Sequence, residues 1–257
     1  MTQDRAYANA AFIPNGAGFP AIWRTKAAAF RADHSGFNTL TYGPDPRHRI
    51  DLFRPKSPHG VLVFLHGGYW IESDRSDWSH LAAGALARGW AVAMPSYPLA
   101  PQARIHQITK DIDAAICTIA QALPGPMVVT GHSAGGHLAA RMGNLDRTPL
   151  LQARVKRLVP ISPLADLAPL MDTQMNADLF LDPQECSIES PALHPLQTQA
   201  HIWVGAQERP AFLWQARTLS ETWAAPWTVA AGKHHFDVID DLESPDSALT
   251  HICLDGF

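Results

Sequence analysis

The stretch VVTGHSAGGHLAA, from Val128 to Ala140, changes character in its middle. It starts as a β-branched run, breaks on Gly131, His132 and Ser133, and resumes from Ala134 as something helical. Gly131-His132-Ser133-Ala134-Gly135 fits the pattern G-x-S-x-G at a strand-to-helix junction. So sharp a turn crowds the backbone, which is why small residues flank the serine and why its hydroxyl projects above the sheet. The helix that follows sets its positive end beneath any negative charge developing there. Ser133 is therefore expected to be a nucleophile, provided the rest of the chain supplies its partners.

Working outward, short apolar runs alternate with segments of helical period, the pattern of a mostly parallel sheet covered by helices. VLVFL (Val61–Leu65) is continuous and apolar, as in a strand buried on both faces. Trp78, Leu81, Ala82, Ala85 and Leu86 recur at helical spacing, and Gly89 closes that helix. WAVAMPSY (Trp90–Tyr97) predicts the next strand. Ile105, Ile108, Ile112, Ile116 and Ile119 predict a long amphipathic helix. PMVVT, VKRLVPIS, HIWVGA and PWTVAAG predict further strands, with a helix over FLWQARTLSETW. Upstream, TLTYGPDPRHRIDLFRPK reads as a hairpin forming an antiparallel edge. From Asp166 to Gln199 the alternation fails, and the Leu, Met and Phe content there predicts a short lid insert. The whole chain, 1–257, is expected to be a single α/β domain.

Composition narrows the classes. With 257 residues, 46% of them hydrophobic, the chain can bury a large core without disulfides or metals. Net charge is −4 with both signs scattered, and no basic stripe suggests nucleic acid. Cys117, Cys186 and Cys253 share no CxxC spacing and read as buried thiols. No leader pattern and no long apolar run are visible, so no membrane span and a cytoplasmic location are expected.

A serine nucleophile needs an oxyanion hole, a base and an orienting acid. HGGYW (His66–Trp70) follows a buried strand, where a donor loop belongs. The expected donors are the N–H groups of Ala134, Gly68 and Tyr69, with Gly67 a near alternative. Base and acid should follow in the order Ser, Asp/Glu, His. His234 and His235 lie in the loop after the last predicted strand, and Glu208 lies after the preceding one. A metal site at the His pair lacks an HExxH pattern or a second carboxylate at ligand spacing, and no metal or other cofactor is expected.

Together HGGYW, GHSAGG, ISPLADLAPL, VGAQERPAF and HHFDVIDDL resemble the α/β-hydrolase superfamily. More narrowly they resemble its arylformamidase-like branch, the kynurenine formamidase-type enzymes related to hormone-sensitive-lipase-type esterases. The similarity runs over nearly the whole chain. It implies a mostly parallel twisted sheet flanked by helices, and it selects His235, which precedes Phe236, as the base. The acid of that family precedes an x-P-x-F stretch, which here puts Glu208 before Arg209-Pro210-Ala211-Phe212. Relatives often have Asp at this point, and Asp166 in SPLADL is the rival acid.

The implied activity is acyl transfer to water from a small ester or aryl (form)amide, with no nucleic-acid or membrane partner. N-formylkynurenine is the leading specific substrate and a short-chain carboxylesterase or thioesterase the alternative. A non-catalytic binding member of the fold would not need the serine, acid and histidine set. Tyr69 and Trp70 are expected to form an aromatic substrate wall. Leu167, Leu170, Met171, Met175, Leu179 and Phe180 are expected to add an apolar lining from the insert. An α-amino acid substrate would need a charged partner, for which Arg75 and Arg209 are the candidates.

Overall fold

The computed structural model describes residues 3–144 and 146–257. Among the described residues nine strands form one sheet: β1 (Asn38–Thr41), β2 (Arg49–Phe53), β3 (Val61–Leu65), β4 (Ala91–Pro95), β5 (Met127–His132), β6 (Val155–Ile161), β7 (Gln199–Ala200), β8 (Ile202–Gly205) and β9 (Trp227–Ala230). Their order is β1-β2-β4-β3-β5-β6-β8-β9, with β7 also beside β6. The β1–β2 hairpin and the β2–β4 pair are antiparallel. All other neighbours are parallel.

Strands β3, β4 and β5 are buried at every position. That is why they read as unbroken apolar runs, since helices cover both faces of the sheet. Alternation still sorts their side chains. Val61, Val63 and Leu65 pack with the isoleucine stripe, whereas Leu62 and Phe64 pack with Trp78, Leu81 and Trp23 on the other face. The β3–β5 register sets Leu65 opposite Gly131, so HGGYW and the serine turn emerge side by side from one rim.

Along the chain the helices are α1 (Asp4–Tyr7), α2 (Phe19–Asp33), α3 (Ala83–Ala87), α4 (Ile105–Ala122) and α5 (Ala134–Arg141). Then follow α6 (Pro149–Arg154), α7 (Asn176–Leu179), α8 (Pro183–Glu189), α9 (Pro210–Trp223) and α10 (Ala248–Leu254). The helix expected around Trp78 is a 3₁₀ run, Arg75–Ala82, that continues as α3. Asp74 and Asp77 start it with a reciprocal capping box. No element was anticipated over the first 37 residues, yet α2 lies on that 3₁₀ run and buries Trp23 and Ala27. Among the described residues no helix is long and apolar enough to cross a membrane.

The segment after Asp166 is folded. Leu167, Leu170 and Leu179 are fully buried in the core, and a buried ion pair anchors the end of α8. There Glu189 receives Arg141 of α5 at 3.1 Å and the Thr109 hydroxyl of α4 at 2.6 Å. His137 adds a hydrogen bond from Nε2 to the Glu189 carbonyl. The helix behind Ser133 is thereby fixed to both α4 and the insert.

Candidate active site

Ser133 stands between β5 and α5 with φ 57° and ψ −116°, a strained conformation for a residue with a side chain, costing of order 1–3 kcal/mol. Packing holds it there. The Ser133 N–H donates to the Ile161 carbonyl at 2.9 Å, and its carbonyl accepts the His137 N–H at 2.9 Å. The turn also runs against the end of β3: a Cβ on Gly135 would overlap the carbonyls of Leu65 and His66. Only glycine permits that approach.

Glu208 and His235 meet in the loops after β8 and β9. The Glu208 Oε2 atom accepts from His235 Nδ1 at 2.6 Å, with both side chains almost wholly buried. This bond fixes the tautomer and leaves Nε2 of the ring free of the acid. Phe212, of the x-P-x-F stretch, packs its ring 4.2 Å from the imidazole. His132 is a contributor the sequence did not announce. Its Nε2 donates to the His235 carbonyl at 2.7 Å, and its ring leans on that of His235. Burial and the neighbouring imidazole hold His132 well below the ordinary histidine pKa, so it stays a neutral prop.

The other acid and histidine are occupied elsewhere. Asp166 accepts the Ala168 N–H at 2.9 Å and turns the chain into the insert. His234 takes the Phe236 and Asp237 N–H groups on Nδ1. Among the described residues no cluster of three or more His, Cys, Asp or Glu is arranged to hold a metal ion.

On the HGGYW loop Gly68, Tyr69 and Trp70 have φ values of 105°, 51° and 58°. These successive positive values turn the backbone sharply. Among the described residues no acceptor meets the amides of Gly68, Tyr69 or Ala134. The last is at the N-terminus of α5, where an unpaired N–H is intrinsic to the helix. A Cβ on Gly67 would crowd the His132 carbonyl and the Ser133 Cβ, so the loop runs close to the serine turn. The loop is pinned from outside: the Tyr69 hydroxyl donates to the Tyr7 carbonyl at 2.6 Å, and Asn9 approaches the same oxygen. Burial raises the Tyr69 pKa, which keeps the hydroxyl a donor. Tyr69→Phe should therefore lower stability by about 1–3 kcal/mol in urea unfolding, because the buried Tyr7 carbonyl loses its partner. An unchanged midpoint would show that the tie contributes nothing.

Ser133 and His235 line one cavity of about 570 Å³. It is lined by the aromatic residues Tyr69, Trp23, Trp78 and Phe236 and by the charged residues Asp4, Arg24, Glu72 and Asp77. Several expectations change here. Trp70 is not part of the wall: it is fully buried in the core, edge-on to His137 at 5.0 Å. A ring of that area gains more from packing between α5 and the loop than from facing a cavity. Of the six insert side chains only Met175 lines the cavity. Leu167, Leu170 and Leu179 belong to the core, Met171 packs against it, and Phe180 faces solvent. Arg75 is committed to Asp51 at 3.0 Å, and Arg209 lies over the Phe12 ring at 3.7 Å. Neither lines the cavity, whereas Arg24 does. The N-terminal segment that supplies Trp23 and Arg24 was not anticipated; the helical spacing of Phe19, Trp23, Ala27 and Phe30 is the signal that could have found it.

The chain is similar to known proteins. The chain is 23% identical over 234 residues to kynurenine formamidase of Salmo salar, covering 84% of this chain and 80% of that protein. A crystal structure of an inferred thioesterase from a Silicibacter species superimposes with a TM-score of 0.96 at 46% identity, over 98% of this chain and 99% of that one. A Pyrobaculum calidifontis esterase shares the fold, with a TM-score of 0.68 at 19% identity over 91% and 90% of the two chains. A family described as the alpha/beta hydrolase fold matches residues 62–222. That match takes in the HGGYW loop, the strained serine and Glu208, and the chain therefore belongs to the α/β-hydrolase fold family.

Proposed function

We propose that the protein is a serine hydrolase that cleaves a small ester or aryl formamide through an acyl-enzyme. The observation that carries this reading is the buried Glu208–His235 hydrogen bond beside a strained serine in one aromatic cavity. His235 takes the Ser133 proton on Nε2 as Oγ attacks the carbonyl carbon. The tetrahedral oxyanion rests on the amides of Ala134 and of the Gly68–Tyr69 loop. Collapse breaks the bond to the leaving amine or alcohol, which His235 protonates. Water then repeats the cycle and releases the acid. Glu208 holds the imidazole tautomer and offsets the imidazolium charge. Neither half-reaction needs a metal or an organic cofactor.

The cavity supports a compact aromatic substrate with charged ends. Trp23 and Trp78 pack on each other with ring centroids 4.6 Å apart, and both line the cavity, an aromatic environment that suits an aryl group. Among the residues that line the cavity, Arg24 offers a cation for a carboxylate, and Glu72 and Asp4 offer anions for an ammonium. These features and the formamidase relatives favour N-formylkynurenine. The Silicibacter relative favours a second reading, a thioesterase, which would use the same machinery on a thiolate leaving group. Measuring kcat/KM for N-formylkynurenine, 4-nitrophenyl acetate and a short acyl thioester separates the two. The formamide should lead by at least about tenfold, a difference of one pocket contact in transition-state binding. A thioester that leads instead would replace the first reading with the second.

A further inference from the structure

The Glu208 carboxylate has two oxygens, and His235 uses only one of them. Oε1, on the far side, takes two donors: the Gly205 N–H at 2.8 Å and the Ser162 hydroxyl at 2.5 Å. Ser162 follows directly on β6, is fully buried, and has a positive φ of 49°. Its N–H donates to the Trp203 carbonyl at 2.7 Å, which ties the residue to β8 and hence to the strand that leads into Glu208. We propose that Ser162 is a positioning residue for catalysis: its hydroxyl clamps the distal oxygen of Glu208 so that the proximal oxygen faces His235. This rests on the reading of Glu208 as the orienting acid.

The physical case has two parts. Glutamate carries one methylene more than aspartate, so its carboxylate has an additional torsion to fix before it can orient an imidazole. Three hydrogen bonds to two oxygens, from the end of β8, the turn after β6 and the loop after β9, remove that freedom. The second part is the backbone. A left-handed conformation is one that glycine adopts freely and serine does not. At position 162 the chain nonetheless carries a side chain, and its hydroxyl reaches the buried Glu208 carboxylate. The hydroxyl also withdraws charge from the carboxylate. Without it, more negative charge faces His235, and the imidazolium is held more tightly.

Two variants separate a clamp from a mere backbone requirement. Ser162→Ala removes the hydroxyl and retains the strained backbone. Ser162→Gly removes the hydroxyl and relieves the strain. With 4-nitrophenyl acetate, both should lose kcat by roughly ten- to a hundredfold, the size of one charge-assisted hydrogen bond, with KM nearly unchanged. In both, the acidic limb of the kcat/KM profile should move to higher pH. Thermal unfolding should show both variants folded, with the glycine variant no less stable than the alanine one. Wild-type kcat in both variants would overturn the proposal, as would full recovery in Ser162→Gly alone, which would mark a backbone role. Glu208→Gln, assayed alongside, distinguishes the failures. If it is impaired while both Ser162 variants are not, only the clamp falls. If it too retains wild-type kcat, the triad reading falls with it.

Discussion

Ser133→Ala should lower kcat for an activated aryl acetate by roughly 10⁴-fold or more, leaving only what the cavity and amide donors achieve on their own. The size of the loss follows from the chemistry. Without Oγ no acyl-enzyme forms, and a water held by His235 must attack directly, without the proximity of a covalently tethered nucleophile. Substrate binding should change little, because the aromatic walls contributed by Trp23, Trp78 and Phe236 are untouched. Fold should also persist. Alanine still carries the Cβ that suffers the positive φ, and the hydrogen bonds at this position are made by its backbone. Turnover within a few-fold of wild type, in protein shown to be folded, would remove Ser133 from the mechanism.

Glu208→Gln should cost roughly 10³- to 10⁴-fold in kcat, while Asp166→Asn should cost little. Glutamine is nearly isosteric, so the effect isolates charge and tautomer. The amide that replaces Oε2 can present an N–H toward His235 Nδ1, which favours the tautomer with its proton on Nε2 and blocks proton abstraction from Ser133. The imidazolium also loses its counter-charge in a buried site. Asp166 has no such role, since its carboxylate accepts a local amide and its backbone pairs with Gln215. A larger loss at Asp166 than at Glu208 would reverse the assignment of the acid.

The sequence was most informative where one requirement acts alone. Strands β3, β4 and β5 were legible because burial on both faces demands an unbroken apolar run, and nothing else produces one inside an alternating pattern. The long helix α4 was legible for the complementary reason, a one-sided stripe of isoleucines. The serine turn was legible because backbone crowding fixes its residue types. What escaped depends on contacts between distant segments. The N-terminal residues line the cavity through contacts with distant segments: Tyr7 and Asn9 meet Tyr69, some sixty positions away, and Asp4 accepts the Gln174 N–H. Trp70 looks like a ligand contact beside an oxyanion loop, and only the fold shows that its ring is turned into the core. Ser162 is one ordinary serine in ISP until Glu208 is placed against it. The insert misled in a different way. Its apolar residues suit either a cavity lining or a core, and the core took most of them because complete burial removes more apolar area from water.

The most direct test of the account is covalent. The chain should be treated with an aryl phosphonate that mimics the tetrahedral intermediate, then examined by intact mass and peptide mapping. A single adduct on the peptide carrying Ser133, abolished in Ser133→Ala and strongly slowed in His235→Ala, is the predicted result. A folded protein that takes up no phosphonate, or takes it up at another residue with Ser133 unmodified, would contradict the account.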